Sequence, residues 1–158
     1  MALARAGRLS TAMETVAAAE RRDPETVREQ VACGRIVVPC NVHHAALQPI
    51  GIGRDLRTKI NANIGNSSLA SGLDEEVEKL ETAVSYGADT VMDLSTGGNV
   101  SCIRKAIIAH STVPIGTVPL YEAHARAGGD VHGLTAELLL DVIREQAEQG
   151  VDFMTLHA

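Results

Sequence analysis

The chain has 158 residues, 45% of them hydrophobic and 22% charged, and 14 Lys and Arg against 20 Asp and Glu leave a net charge of −6. That balance describes a globular domain and excludes disordered or fibrous chains. With no Trp, one Phe and two Tyr, it has neither the basic footprint nor the stacking platforms of a nucleic-acid binder, and no apolar run approaches the roughly 20 residues of a membrane helix.

Residues 10–20 read as a helix capped by Ser10 or Thr11, and Asp23 with Pro24 opens a second that Gly34 stops. The Ala- and Arg-rich opening has a transit-peptide flavour, but Glu14, Glu20 and the helical pattern argue against one. Residues 1–35 are thus a helical lead-in. Residues 35–39 form a short apolar strand, followed by a His- and Pro-containing loop. Strands are predicted at 58–64, 89–94, 113–118 and 151–157. Helices between them start at Asp74, after the turn 95–98, at Pro119 and at Thr135, and loops are expected at 65–68 and 128–129.

Two joints look alike. Gly87-Ala-Asp89 and Gly150-Val-Asp152 each run from a helix end through Gly and a small residue to Asp and an apolar strand, 63 residues apart. That is about two βα units of roughly 30 residues each. Alternating strands and helices imply a parallel sheet. An open nucleotide-binding sheet would carry a GxGxxG or P-loop fingerprint, and neither is present. The predicted fold is α/β, with the (β/α)₈ TIM-barrel family favoured over the competing open doubly wound sheet; in a barrel, residues 36–158 with their four barrel strands would supply about the first half.

Polar residues gather where the strands end. Asn63, Met92, Tyr121 and His157 are spaced by 29, 29 and 36 residues, one per βα unit, which in a barrel places all four on the substrate-binding C-terminal rim. Each also has an ordinary reading. Asn63 suits a turn, Met92 a core, Tyr121 the barrel mouth, and His157 is the strongest single candidate because imidazole donates, accepts or ligates. His43 and His44 point opposite ways on an extended segment and are expected to serve the loop structurally. Glu75, Glu76, Glu78 and Glu81 suit a solvated helix face near a helix N-terminus. Cys33, Cys40 and Cys102 form no CxxC pair, which fits a reducing, cytoplasmic setting and offers no metal site by itself.

Several segments carry a resemblance. Gly34 to Pro39 (GRIVVP), Lys59 to Ser67 (KINANIGNS), Ala88 to Gly97 (ADTVMDLSTG), Pro114 to Tyr121 (PIGTVPLY), Glu145 to Asp152 (EQAEQGVD) and Thr155 to Ala158 (TLHA) resemble the phosphomethylpyrimidine synthase family of thiamine biosynthesis, in order and along essentially the whole chain. The resemblance implies a radical S-adenosylmethionine (SAM) lyase on a (β/α)₈ barrel. Such enzymes convert 5-aminoimidazole ribotide to 4-amino-5-hydroxymethyl-2-methylpyrimidine phosphate with release of formate and carbon monoxide, using a [4Fe-4S] cluster and zinc. It also implies a homodimer in which one subunit's cluster region serves the other's site. The family's ribotide-binding Asn, Met, Tyr and His fall on Asn63, Met92, Tyr121 and His157. A similar family, 5-hydroxybenzimidazole synthase, acts on the same ribotide.

The resemblance also marks what this chain lacks. The family's Ser-Arg-Gly segment, two zinc-binding His and C-terminal CxxCxxxxC are expected beyond Ala158, and none of the three cysteines matches them. Against roughly 250 residues for a complete barrel, the chain reads as a truncated N-terminal, substrate-binding portion, inactive alone. A non-catalytic half-barrel serving ribotide binding or subunit contact is the other reading.

Overall fold

The computed structural model describes residues 1–67, 72–97 and 99–157. The predicted loop residue Ser68, the turn residue Gly98 and the final Ala158 lie outside the described residues. The chain divides into two compact units, Met1–Cys40 with Gln48–Lys59, and Asn41–Leu47 with Ile60–Ala158.

In the first unit, local capping starts the helices where the sequence predicts. After a short helix α1 (Ala2–Arg5), Ser10 accepts the Met13 amide and opens α2 (Thr11–Glu20). Asp23 accepts the Thr26 amide at 2.9 Å, and Pro24, with no amide hydrogen to satisfy, takes the first position of α3 (Pro24–Ala32). Ala4, Met13, Val16, Ala17, Val27, Val31 and Ile36 form one small aliphatic core. The predicted strand at 35–39 is shorter, β1 (Ile36–Val37), and pairs antiparallel with β2 (Ile52–Gly53). Nothing in the local pattern announces α1 or β2. The first is a single turn, and the second is two residues whose pairing is long-range.

The second unit is a parallel sheet ordered β3 (Asn61–Ile64), β4 (Thr90–Asp93), β5 (Ile115–Thr117) and β6 (Phe153–Met154). The connections carry α4 (Leu73–Ser85), α5 (Val100–His110), α6 (Pro119–Arg126), a 3₁₀ turn (Val131–Gly133) and α7 (Ala136–Glu148). Asn99 and Thr135 cap α5 and α7 by accepting the amides of Cys102 and Leu138. Alternation along the strands sorts the faces. Ala62, Ile64, Val91, Ile115 and Met154 pack with Leu80 of α4 and Ile103, Ile107 and Ile108 of α5. Asn61, Asn63, Thr90 and Met92 belong to the other face.

The alternation thus yields the predicted α/β architecture with a parallel sheet and helices. No closed barrel forms among the described residues, where β3 and β6 each pair with one strand. The strands are also shorter than predicted. β3 starts at Asn61 because Lys59 is engaged elsewhere, its ammonium 2.7 Å from Glu20 in the first unit. β6 ends at Met154, so His157 lies beyond it. The predicted solvated face of α4 also needs correction: Glu76 is fully buried. It shares a helical stripe with Leu80 four residues on, and Lys79 reaches back to it at 2.6 Å.

Candidate functional site

Parallel register places Asn63 opposite Met92, and Met92 opposite Gly116. Register partners project to the same side, so Asn63 and Met92 present one surface. Asn63 is exposed and Met92 half-buried. The Asn61 amide donates to Asn63 Oδ1 at 2.8 Å, and the Thr90 hydroxyl donates to Asn61 Oδ1 at 2.9 Å. This chain occupies the Asn63 carbonyl and leaves its NH₂ group as the outward donor.

Tyr121 stands in the first turn of α6, directly after β5, and His157 follows β6. Their ring centroids are 6.3 Å apart with planes inclined by 32°, within the range of a favourable ring pair. The structure therefore brings Asn63 to Met92 and Tyr121 to His157, and the sheet relates the two pairs. All four lie on or just after the carboxyl-terminal halves of their strands, where parallel α/β proteins bind ligands.

A second layer lies on the helix side of the same strand ends; Asp93, Ser95 and Thr117 are among the polar strand-end residues of the sequence, whereas Arg104, Glu122 and Gln146 were not singled out there. Asp93, Ser95, Arg104, Thr117, Glu122 and Gln146 are all buried. Burial pushes the Asp93 carboxyl above its ordinary range, partly offset by hydrogen bonds from Ser95 and the Arg104 charge. Asp93 Oδ1 accepts the Ser95 amide at 2.9 Å, and Ser95 Oγ accepts the Asn66 amide at 3.2 Å. These bonds tie the β3 and β4 exits together. Gly65 permits that approach: its φ is +152°, and a Cβ there would stand 2.7 Å from the Leu94 carbonyl carbon.

The sequence did hold a signal for Arg104. It falls between Ile103 and Ile107–Ile108 on the stripe that faces the sheet, so a charge there must be buried and paired. Burial lowers its pKa, opposed chiefly by Glu122 and Asp93.

Of the adjacent histidines, His43 is exposed and His44 is buried in the structural loop role expected of it, between Asp152 and the Ser111 carbonyl. The three cysteines are exposed. Among the described residues no group of three or more His, Cys, Asp or Glu could hold a metal ion, and no helix is long and apolar enough to cross a membrane. These residues do not fit a metal cluster.

The model of the Radical SAM ThiC family matches residues 1–158. Curated relatives called phosphomethylpyrimidine synthase include one from Natronomonas pharaonis, 61% identical over 155 residues, which cover 98% of this chain and 32% of that protein. One from Halobacterium salinarum is 60% identical over 155 residues with the same shares, and one from Haloarcula marismortui is 59% identical over 158 residues, all of this chain and 33% of that protein. The chain spans about a third of the length of these relatives.

Proposed function

Because the chain belongs to the radical SAM ThiC family, we propose that it is the N-terminal, substrate-binding part of a phosphomethylpyrimidine synthase. It would hold 5-aminoimidazole ribotide at the carboxyl ends of the first strands of a (β/α)₈ barrel. The sequential strand order β3-β4-β5-β6 supports the barrel reading, since a doubly wound sheet reverses its order at a switch point.

The observation that carries the proposal is the pairing of Tyr121 with His157 on the sheet that pairs Asn63 with Met92. The Asn63 NH₂ donates to a ring nitrogen or hydroxyl of the ribotide, and the His157 imidazole supplies a second polar contact. The Tyr121 ring and the Met92 thioether pack against the flat aminoimidazole. In this family, radical chemistry comes from a [4Fe-4S] cluster with S-adenosylmethionine. The residues present do not fit that cluster, so the role assigned to this chain is binding and orientation, and no chemical step is assigned to it.

Titration calorimetry with the ribotide tests the reading. Wild-type chain should bind, and His157→Ala and Tyr121→Ala should each weaken binding about tenfold, the loss of one good polar or ring contact. Unchanged affinity in both variants would overturn it.

A further inference from the structure

Three helices converge on one buried carboxylate next in sequence to Tyr121. Glu122 Oε2 accepts from Arg104 Nη1 of α5 at 2.7 Å and from Gln146 Nε2 of α7 at 2.7 Å. Its Oε1 accepts from Arg126 Nη2 of α6 itself. The cluster extends to the sheet, because the Thr117 hydroxyl at the end of β5 donates to Gln146 Oε1 at 2.6 Å. It extends along α7 as well, where Gln149 Oε1 accepts from Arg104 Nε at 2.7 Å.

We propose that Glu122 is a positioning residue for Tyr121, fixing the direction in which the first turn of α6 presents that ring to the ligand. This inference rests on the ribotide-binding reading of the Tyr121 site.

Local structure leaves α6 weakly placed by itself. It has eight residues, and its N-cap, Val118, has no side-chain oxygen to hold the first turn. Pro119 supplies the favourable backbone angle but no hydrogen bond. The Tyr121 side chain is exposed. Successive helix residues differ by about 100° in direction. Drawing Glu122 into the protein therefore dictates where Tyr121 points, and the outcome is the ring placed against His157. Tyr121 also lines a cavity of about 10 Å³ together with Asp93, Arg104, Glu122 and Gln146. That volume suits about one water molecule, so Tyr121 and the cluster border the same small space.

Charge explains why a carboxylate occupies this position. Arg104 is 1% exposed, and a buried guanidinium requires an anionic partner with matched geometry. Glu122 meets that need while Gln146 and Arg126 use its remaining lone pairs. A residue that accepts from three sides cannot rotate without breaking several short bonds together, and that rigidity passes to its neighbour.

The experiment uses the absence of Trp and the presence of only two tyrosines. Tyr86 is 89% exposed, and Tyr86→Phe leaves Tyr121 as the sole tyrosine of the parent chain. In ¹³C-tyrosine-labelled protein, Glu122→Gln should shift and broaden the Tyr121 ring resonances, and ribotide affinity should fall about tenfold. Asn41→Ala serves as a stability control. Asn41 bonds Asp152, Ala147 and Val151, at the opposite end of the strands, so its loss should lower the melting temperature without moving the Tyr121 signal. Should Glu122→Gln fail to fold, Thr117→Val, which frees Gln146, is read in the same way. Tyr121 resonances identical to the parent's in the folded variant would overturn the proposal. A parent chain that binds no ribotide would overturn the binding reading instead, while the Tyr121 spectrum still decides the role of Glu122.

Discussion

His44 and Asp152 form a fully buried pair, Nδ1 to Oδ2 at 2.7 Å, and the other ring nitrogen of His44 lies 2.9 Å from the Ser111 carbonyl oxygen. The Ser111 carbonyl can only accept, so Nε2 donates to it, and an ionised Asp152 accepts from Nδ1, an arrangement that favours the imidazolium. Burial opposes that charge, but the Asp152 hydrogen bond, the Ser111 carbonyl and the Asp152 charge outweigh it and raise the His44 pKa. A raised folded-state pKa gives stability that is complete below the unfolded value of about 6.5 and is lost as pH climbs through the folded value. His44→Gln should therefore cost about 3 kcal/mol near pH 5.5, the scale of breaking a buried pair, and less near pH 9. Urea unfolding at both pH values checks this, and a gap that widens in alkali contradicts it.

The Asp of each repeated joint has the same task. Asp89 accepts the Ile60 amide at 2.8 Å while its own amide donates to the Ile60 carbonyl. Asp152 does the same with Ile115, at 2.8 and 2.9 Å. Each thereby clasps the start of the preceding strand, Ile60 just before β3 and Ile115 as the first residue of β5, and sets the register of the next. Asp89→Ala removes the acceptor and should destabilise the chain by about 1–3 kcal/mol. Asp89→Asn keeps an acceptor oxygen and should lose less. The order of their denaturation midpoints is the check.

What the sequence made legible follows from how local each cause is. The caps at Ser10, Asp23 and Thr135 and the Gly-small-Asp joints act within a few residues, and they predicted the helices and the parallel sheet. The common period of Asn63, Met92, Tyr121 and His157 reflects the βα repeat; the sheet makes Asn63 and Met92 register partners, and the Tyr121 and His157 rings meet beyond the strands. Strand lengths were less legible, because Lys59 looks like strand but is drawn to Glu20, a partner 39 residues away. The buried face of α4 was misjudged at Glu76, whose type signals solvent while its position signals core. Of the Arg104–Glu122–Gln146 cluster only Arg104 left a trace, a charge on an apolar stripe, since its members are scattered over three helices and only the packing unites them.

Glu20 and Lys59 form an ion pair within the first unit, at 2.7 Å, and the Arg57 amide adds a second bond to Glu20 at 2.8 Å. Partial burial works to raise the Glu20 pKa, yet the Lys59 and Arg57 bonds and charges prevail and lower it. A depressed carboxyl contributes stability that is present above its unfolded value and disappears as pH falls through the folded one. Glu20→Gln should thus lower the melting temperature at pH 7 and make little difference below pH 3. Differential scanning across that range tests the sign, and an equal loss at both ends would assign the effect to packing.

Gly116 and Phe153 are register partners on β5 and β6, and the ring of Phe153 occupies the space that a side chain at 116 would fill. A Cβ there would stand 2.2 Å from Phe153 Cε2. The backbone at Gly116 is not in the left-handed region, so the requirement is for space and not for an unusual φ. Gly116→Ala must displace the ring, and overpacking of this kind costs about 1–3 kcal/mol. The displaced ring moves on the face that carries Met92, the register partner of Gly116 on its other side, so ligand affinity should fall together with stability. Phe153→Leu in the same chain relieves the clash, and the double variant should be more stable than additivity of the two single changes allows. A double-mutant cycle by urea denaturation reads the coupling directly. A coupling of zero would mean that the ring does not hold Gly116 to its size.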